Sequence, residues 1–270
     1  MEIKIGFQSV PWHGEVSKMR EAWMDAEALG ADAIYTSDHF FAQVMTPKQG
    51  DNQYAPISAG QNYEGAMMEA AIAATTSRVE IGCLVHAIGF RNPNLLADMA
   101  RTMDHISGGR FILGLGAGYQ EDEYLEYGYE FGTMKSRIAE LAAAIPLIRA
   151  RFEKLNPKPM RKIPILIGAM GEQYGMRVVA EHADKWHVYG PMDKMIHRIG
   201  RMKELCAEIG RDFATLEMTT WYSPDVLSQA NGLDDYLKLG IRNIIVPALG
   251  PDWSRDTFKE LMAWRKGICG

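Results

Sequence analysis

Asp38 and His39 are the first residues of the chain whose type and position point to chemistry. They directly follow the apolar run AIYT, in the segment AIYTSDHFF. Side chains at the carboxyl end of a strand in a parallel sheet lie on the edge that carries active sites. An imidazole there can exchange a proton near neutral pH or donate a hydrogen bond to a ligand. In the alternative interpretation, Asp38 only caps a turn and His39 only fills space.

A glycine-rich loop follows the fourth predicted strand. Residues 114–118 read GLGAG, and Tyr119, Asp122 and Glu123 come next. The spacing is GxGxG instead of GxGxxG, and the loop does not follow the first strand, so we reject a dinucleotide-binding fingerprint. Glycines in this loop let the backbone approach a flat ring, with Tyr119 and the two carboxylates beside it. For Glu123, the start of the next helix is the alternative role.

A second glycine loop lies between the predicted strand PILIG and the helix after it. Gly168 and Gly171 enclose Ala169 and Met170 in the segment IPILIGAMGEQYGMR. Free backbone N–H groups and the positive end of a helix dipole favour an anion at such a position. Phosphate sites are frequent at this face of an eight-fold barrel, so we interpret the loop as a phosphate site.

Histidines near the ends of the first three predicted strands prompt the question of a metal centre. They are His13, His39 and His86. Metallohydrolases built on barrels usually contribute an HxH pair from one strand, and the sequence contains no such pair. We therefore expect no metal. His86 either points toward the site or packs beneath a loop.

Short apolar segments alternate with segments of helical period along the chain, which indicates repeated βαβ units. The predicted strands cover residues 3–9, 32–37, 79–86, 111–116, 164–169, 184–189, 214–221 and 243–248. The predicted helices cover residues 15–29, 63–76, 93–106, 134–153, 172–182, 192–209, 230–239 and 254–265.

These pairs of strand and helix predict an α/β fold, the (β/α)8 TIM barrel, as a single domain over residues 1–270. The length is close to the roughly 250 residues typical of that barrel. An open, doubly wound sheet is the alternative. In both folds the parallel strands bring their carboxyl ends to one edge, so the polar and glycine-rich loops described above meet there.

The longest predicted connection runs from Phe40 to Asn62 and is rich in Gln, Asn, Gly and Pro. Connections of this length are uncommon and are often functional. Because it follows the second strand, we expect it to cross the carboxyl-terminal mouth as a lid or a substrate wall.

Composition argues against several classes of partner. The formal charge is −5, from 29 basic and 34 acidic residues, and neither sign forms a long block. We therefore expect a small-molecule substrate and no nucleic acid.

We expect no membrane partner because no apolar run approaches the roughly 18 residues of a span. The first residues, MEIKIGFQS, do not have the pattern of a secretory signal. The 3 widely spaced cysteines favour a reducing cytoplasm over a disulfide framework.

Three segments together resemble the luciferase-like monooxygenase superfamily and, within it, the oxidoreductases that depend on flavin or on deazaflavin (coenzyme F420). They are SDHF after the second strand, TSRVEIGCLVHAIGFRNPNLLADMARTMDHISGGRFILGLGAGYQEDEYLEYG in the middle, and IPILIGAMGEQYGMRVVAEHADKW. The resemblance covers about residues 3–189. It implies a TIM barrel, a cofactor at the carboxyl-terminal mouth and a homodimer.

The resemblance also implies which residues contact the cofactor. In that family a non-prolyl cis peptide bond after the third strand presses on one face of the ring, and the matching bond here is Leu84–Val85. Asp38 and His39 match positions beside the ring and the substrate. The other matches are Gly118, Tyr119 and Asp122 along the ring and its side chain, and Gly168, Ala169, Met170 and Gly171 at the phosphate.

We therefore expect an oxidoreductase that transfers a hydride between coenzyme F420 and an unidentified small organic substrate, with His39 as proton donor or acceptor. One alternative is a two-component monooxygenase that uses reduced flavin mononucleotide (FMN). Another is a non-catalytic flavin-binding protein. Tyr119 departs from the resemblance, since F420-dependent sugar-phosphate dehydrogenases of this fold have a glutamate there. That substrate class is therefore disfavoured.

Overall fold

Parallel pairing of the apolar strands closes the main sheet into a barrel. The computed structural model describes residues 2–49, 52–57, 60–223 and 232–269. In chain order its strands are β1 (Lys4–Ser9), β2 (Ala33–Thr36), β3 (Ala42–Gln49), β4 (Asn52–Ile57), β5 (Glu80–Cys83), β6 (His86–Ala87), β7 (Phe111–Gly116), β8 (Ile165–Ile167), β9 (Lys185–His187), β10 (Glu217–Trp221) and β11 (Asn243–Ala248).

The hydrogen-bonded order of the main sheet is β5-β2-β1-β11-β10-β9-β8-β7-β6, and β5 also pairs with β7. Because β5 and β6 are two halves of one interrupted strand, the closed sheet has 8 strands. All of its pairs are parallel; for example, Gly6 of β1 lies opposite Ile245 of β11 and Ala33 of β2. The TIM barrel is therefore confirmed. The open, doubly wound alternative is wrong, because the first and last strands pair with each other.

Within the described residues, helices surround the barrel at the eight predicted places, and α4 (Glu121–Glu126) is present in addition. They are α1 (Val16–Ala28), α2 (Gly65–Thr75), α3 (Pro93–Ser107), α4 (Glu121–Glu126), α5 (Met134–Lys154), α6 (Gly175–His182), α7 (Met192–Glu208), α8 (Asp234–Lys238) and α9 (Arg255–Cys269). Of the predicted helix 230–239, residues 230 and 231 lie outside the described residues.

Local sequence signals account for the ends of α3. The Asn92 side chain accepts a hydrogen bond from the backbone N–H of Asn94, and Pro93 occupies the first turn. Gly108 ends the helix with φ +68°, a left-handed conformation that favours glycine. Helix α3 therefore begins and ends where its local sequence predicts.

Alternation along the strands separates the barrel interior from the layer beneath the helices. Leu113 and Leu115 of β7 pack outward into the main hydrophobic core. Their neighbour Ile112 points inward, into a separate apolar layer. That inner layer also contains Ala33, Tyr35, Leu84, Leu166 and Ile245, with Val85 and Trp221 packed against it.

Several features differ from the predicted elements. The predicted strand 214–221 starts later, at Glu217, because a 3₁₀ helix (Phe213–Thr215) precedes β10. The connection 40–62 contains an antiparallel hairpin of β3 and β4. Its prolines argue against strands when the sequence is considered alone, although proline is tolerated on edge strands. The predicted strand 79–86 is interrupted, so that β5 and β6 are separate. Finally, the short helix α4 follows the GLGAG loop and carries the acidic residues there.

Candidate active site at the carboxyl-terminal mouth

The loops after strands β2, β6, β7 and β8 meet at one end of the barrel. The loop after β2 is joined to the segment after β7 by a hydrogen bond from the Gln120 amide to the Gln43 side-chain oxygen, 2.8 Å long. Val85, between β5 and β6, lies against Gly116 of β7 and Gly168 after β8. The predicted convergence of these loops is therefore observed.

His39 lies in this mouth between a carboxylate and a phenol. Its Nδ1 lies 3.0 Å from Oε2 of Glu123 and its Nε2 lies 3.3 Å from the Tyr119 hydroxyl. The His39 side chain is 17% exposed and that of Glu123 is 1% exposed. The ring of Trp12 packs beside the imidazole, with centroids 5.7 Å apart. One nitrogen of His39 therefore faces the protein and the other faces the mouth.

Glu123 does more than begin a helix. Its Oε1 accepts hydrogen bonds from the backbone N–H groups of Phe40 and Phe41, at 2.8 Å and 3.1 Å. The same carboxylate therefore holds both the His39 ring and the backbone that follows it. Sequence reasoning did not separate Glu123 from the other acids of QEDEYLEY, because burial distinguishes them and a short acidic helix does not reveal which side chain is buried.

Asp38 differs from its expected role beside the ring, because its carboxylate is turned into the protein. Arg91 binds both of its oxygens, at 2.6 Å and 2.7 Å, and the backbone N–H of Ala87 donates to Oδ2. Burial alone would raise the pKa of Asp38, but His86 and Arg91 hold that pKa well below its usual range. Asp38 thus stays ionised and joins the loop after β2 to β6.

His86 packs beneath the mouth, so the second of its two predicted positions is the observed one. Its Nε2 is 2.7 Å from Oε2 of Glu69, and its Nδ1 forms an ion pair with Asp38 at 3.3 Å without hydrogen-bond geometry. Burial lowers the pKa of His86, but Glu69 and Asp38 raise it to about 10. The lone acid in the apolar helix GAMMEAAIAAT was a readable signal for Glu69, because a buried charge requires a partner.

The peptide bond Leu84–Val85 is cis, as the resemblance predicted. Val85 beyond it occupies a hollow lined by positions that have no side chain. A Cβ atom on Gly116 would lie 2.5 Å from Cγ2 of Val85, and one on Gly168 would lie 3.2 Å from its Cγ1. A Cβ on Gly114 would lie 1.9 Å from the carbonyl oxygen of Cys83. These glycines admit the bulge of the third strand, a reason independent of the flat ring expected from the sequence.

The remaining residues predicted along the ring occupy the segment after β7. Gly118 has φ +75°, and a Cβ atom there would meet the Tyr124 hydroxyl at 2.1 Å. Tyr119 is exposed, with its hydroxyl directed at His39. Asp122 is exposed on the first turn of α4. These three residues are thus brought near the mouth, while their contact with a cofactor stays a prediction.

The predicted phosphate loop runs from Gly168 to Gly171 at the same end of the barrel. The Ala169 carbonyl accepts a hydrogen bond from the Trp186 indole, which fixes the loop to β9. Arg198 of α7 reaches the loop: its Nη1 lies 3.6 Å from Sδ of Met170 and 3.0 Å from the Tyr189 carbonyl. Within the described part of the chain, Arg198 forms no ion pair with an acidic side chain. Sequence reasoning missed this cation.

The opposite wall of the mouth is aromatic and neutral. His187 at the end of β9 packs between Tyr189 and Trp221, and its Nδ1 lies 2.8 Å from the Thr219 hydroxyl. Burial lowers the pKa of His187 to about 3, so this imidazole is uncharged. The Trp221 indole donates to the side-chain oxygen of Gln8.

In residues 2–49, 52–57, 60–223 and 232–269, no group of three or more His, Cys, Asp or Glu side chains is arranged to hold a metal ion. Among the helices of those same ranges, none has both the length and the apolar character that crossing a membrane requires.

The sequence that forms this site matches a known protein family. The family model described as Luciferase-like monooxygenase matches residues 8–228. The chain belongs to that family. The match includes His39, the interrupted third strand and both glycine loops.

Among curated relatives of this luciferase-like protein is the F420-dependent glucose-6-phosphate dehydrogenase of Amycolatopsis mediterranei. The two are 30% identical over 200 residues, which are 68% of this chain and 55% of the relative. The chain thus spans about half the length of that dehydrogenase.

Two solved structures share the fold of this luciferase-like protein over nearly its whole length. An F420-dependent secondary alcohol dehydrogenase superposes with a TM-score of 0.78 at 19% identity, covering 96% of this chain and 98% of the other. The coenzyme F420-dependent tetrahydromethanopterin reductase of Methanopyrus kandleri gives 0.70 at 16% identity, covering 98% of each chain. At these identities the likeness concerns the fold alone.

Proposed function

We propose that this luciferase-like protein is an oxidoreductase that uses coenzyme F420 to interconvert a small, uncharged alcohol and the corresponding carbonyl compound. The observation that carries the proposal is the position of the His39 imidazole. Its Nδ1 contacts the buried carboxylate of Glu123, and its Nε2 is directed toward the mouth. The family to which the protein belongs and the relatives named for F420 support the choice of coenzyme.

Bound F420 supplies or takes up the hydride, and the protein contributes positioning and proton transfer. When an alcohol is oxidised, a hydride leaves its carbon and a proton leaves its oxygen. In our proposal Nε2 of His39 accepts that proton, as a general base within hydrogen-bonding reach. In the reverse direction the same nitrogen returns the proton to the carbonyl oxygen.

The mouth offers surfaces that fit such a coenzyme. We propose that Leu84 and Val85 would hold the ring, with Gly118, Tyr119 and Asp122 beside the ring and its side chain. Gly168, Ala169, Met170 and Gly171 would hold the phosphate, where Arg198 offers a guanidinium without an acidic partner among the described residues. Asp38 supports this arrangement through Arg91 instead of touching the ring.

The charges around His39 favour an uncharged substrate over a sugar phosphate. The carboxylate in contact with His39 belongs to Glu123, and the guanidinium of Arg91 is already paired with Asp38 and Glu64. An anion beside His39 would therefore meet the Glu123 carboxylate, while Arg198, which has no acidic partner among the described residues, lies at the phosphate loop. Tyr119 also stands where the sugar-phosphate dehydrogenases of the family resemblance have a glutamate.

A binding titration tests the coenzyme. We expect the apo protein to bind F420 at least tenfold more tightly than FMN, a difference of about 1.4 kcal/mol, as followed by cofactor fluorescence. The variant Arg198→Ala should weaken F420 binding and leave binding of the phosphate-free deazaflavin fragment unchanged. Equal affinities, or tighter FMN binding, would reject the proposal and favour the flavin monooxygenase.

Turnover tests the substrate class. The F420-loaded protein is mixed with a panel of secondary alcohols and, separately, with glucose 6-phosphate, while F420 absorbance is followed. We expect reduction of F420 by a member of the alcohol panel and none by glucose 6-phosphate. Reduction by the phosphorylated sugar would contradict the argument from charge.

We further propose a cytoplasmic homodimer. The helices α2 and α3 pack together and present exposed apolar side chains, with Met67 63% and Leu95 54% exposed. A twofold contact through these helices would cover both residues. The free, buried thiols of Cys83 and Cys206 suit a reducing compartment. Light scattering should give twice the chain mass, and Met67→Glu combined with Leu95→Glu should reduce it to one.

A further inference from the structure

The two oxygens of Glu123 have different partners. Oε1 accepts from the backbone N–H groups of Phe40 and Phe41, at 2.8 Å and 3.1 Å. Oε2 faces Nδ1 of His39 at 3.0 Å, closer than Oε1 at 3.2 Å. One oxygen thus holds the loop after β2, and the other holds the imidazole.

We propose that Glu123 is the residue that decides which nitrogen of neutral His39 carries the proton. A carboxylate has no hydrogen to donate, so the ring nitrogen that faces it must be the donor. Neutral His39 therefore has its proton on Nδ1 and a lone pair on Nε2. Glu123 is a positioning residue, since it acts on the reaction only through His39.

The far side of the ring is consistent with this tautomer. Nε2 lies 3.3 Å from the Tyr119 hydroxyl, which can donate to a lone pair. Tyr119 is exposed, at 44% of its surface. A substrate hydroxyl that approaches from the mouth therefore reaches an acceptor nitrogen, which is the state that a general base requires.

The catalytic consequence rests on the proposed function, whereas the tautomer does not. An amide in place of the carboxylate behind a catalytic histidine leaves the geometry intact but favours the wrong tautomer, at a cost of about 10⁴ in turnover in serine proteases. The separation of tasks between Oε1 and Oε2 makes the same experiment possible here.

The test uses Glu123→Gln in the full chain. The amide oxygen can keep the two backbone hydrogen bonds, because the amide nitrogen would face N–H groups if the side chain were reversed. The amide N–H then points at Nδ1 and requires that nitrogen to accept. Two-bond ¹H–¹⁵N spectra of the apo protein, with His39 assigned from a His39→Asn sample, report the protonated nitrogen directly.

We expect the proton on Nδ1 in the unmodified protein and on Nε2 in Glu123→Gln. The control is Glu121→Gln, an exposed acid of the same helix, which should leave the tautomer and the turnover unchanged. With F420 bound, Glu123→Gln should lower turnover by roughly 10²–10⁴ and change F420 affinity by no more than a few-fold.

A proton on Nε2 in the unmodified protein, or an unchanged tautomer in Glu123→Gln, would overturn the inference. The first of these measurements needs no variant, so the inference stays testable even if Glu123→Gln does not fold. A shifted tautomer in a protein that fails to bind F420 would reject the proposed function and leave the role of Glu123 intact.

Discussion

The two ends of the barrel interior both contain charged groups, but only one end leaves a group open. At the amino-terminal end, Lys185 is 2.8 Å from Glu217 and 3.3 Å from Glu80. Lys4 pairs with the same two acids, 3.2 Å from Glu80 and 3.7 Å from Glu217. At the carboxyl-terminal end, Glu123 engages one nitrogen of His39 and leaves the other facing the mouth.

The contrast separates charges that stabilise the fold from a group that can act on a ligand. The amino-terminal cluster joins these two acids to three cations, because Arg161 also lies 3.6 Å from Glu80, and Lys185 is only 5% exposed. Such closed pairs serve stability, which is the usual role of the bottom face of this barrel. In the mouth, by contrast, Nε2 of His39 has no charged partner among the described residues and meets the hydroxyl of the exposed Tyr119. Substitutions at the two ends should therefore have opposite effects on activity and on stability.

The largest expected effect is on turnover at the mouth. His39→Asn should lower turnover by roughly 10²–10⁴, because it removes the proposed acid and base. F420 affinity should stay within a few-fold, and the two constants must be measured separately. His105→Asn, an exposed position on α3, is the control. Unchanged turnover in His39→Asn would show that the imidazole only packs, and the contrast between the two ends would disappear.

At the amino-terminal end the expected effect is on stability. Lys185→Met removes the most buried cation of the cluster and leaves the more exposed Lys4 and Arg161. We therefore expect a loss of about 3 kcal/mol in the free energy of unfolding, measured with urea. Lys162→Met is the matched control, because Lys162 is 75% exposed and pairs with Asp184. That change should cost no more than about 1 kcal/mol. A similar loss in both variants would mean that burial does not distinguish the two pairs.

A smaller effect, on F420 affinity, is expected at the carboxyl end of β7, where Gly116 faces Val85. Gly116→Ala should push Val85 toward the ring site, because the added Cβ would lie 2.5 Å from Cγ2 of Val85. We expect F420 affinity to fall by about tenfold, or about 1.4 kcal/mol. Adding Val85→Ala should restore most of it by removing the clashing methyl groups. Gly200→Ala, in open space on α7, is the control. If F420 affinity does not recover in the double variant, its loss does not come from a clash with Val85.

The smallest expected effect is a dependence on pH at the amino-terminal end. Burial raises the pKa of Glu80, but the positive charges of Lys185 and Lys4 lower it by more than burial raises it. The pKa of Glu80 therefore lies below its usual value of 4.5. The stability contributed by ionised Glu80 is therefore present above about pH 4.5 and is lost as the pH falls through the lower folded-state pKa. The difference in unfolding free energy between the unmodified protein and Glu80→Gln should shrink over that range. A difference that stays constant would contradict this assignment.

Much of the fold was predictable because it depends on local pattern. Alternating apolar strands and amphipathic helices specify βαβ units, and signals such as Asn92 and Pro93 mark where helices begin. The hairpin of β3 and β4 was not predictable in the same way. Its segment is polar and contains prolines, which do not predict strands.

The sequence by itself determined the barrel and the position of His39 at the end of a parallel strand, because side-chain period and chain direction are local properties. Only the tertiary structure decided that Glu123, and neither of its acidic neighbours, is buried against His39, 84 residues away. It also decided that Asp38 turns toward Arg91 and that glycines of β7 and of the loop after β8 make room for Val85. Each of these outcomes depends on which side chains from distant segments compete for the same buried space, and that competition exists only once the barrel has closed.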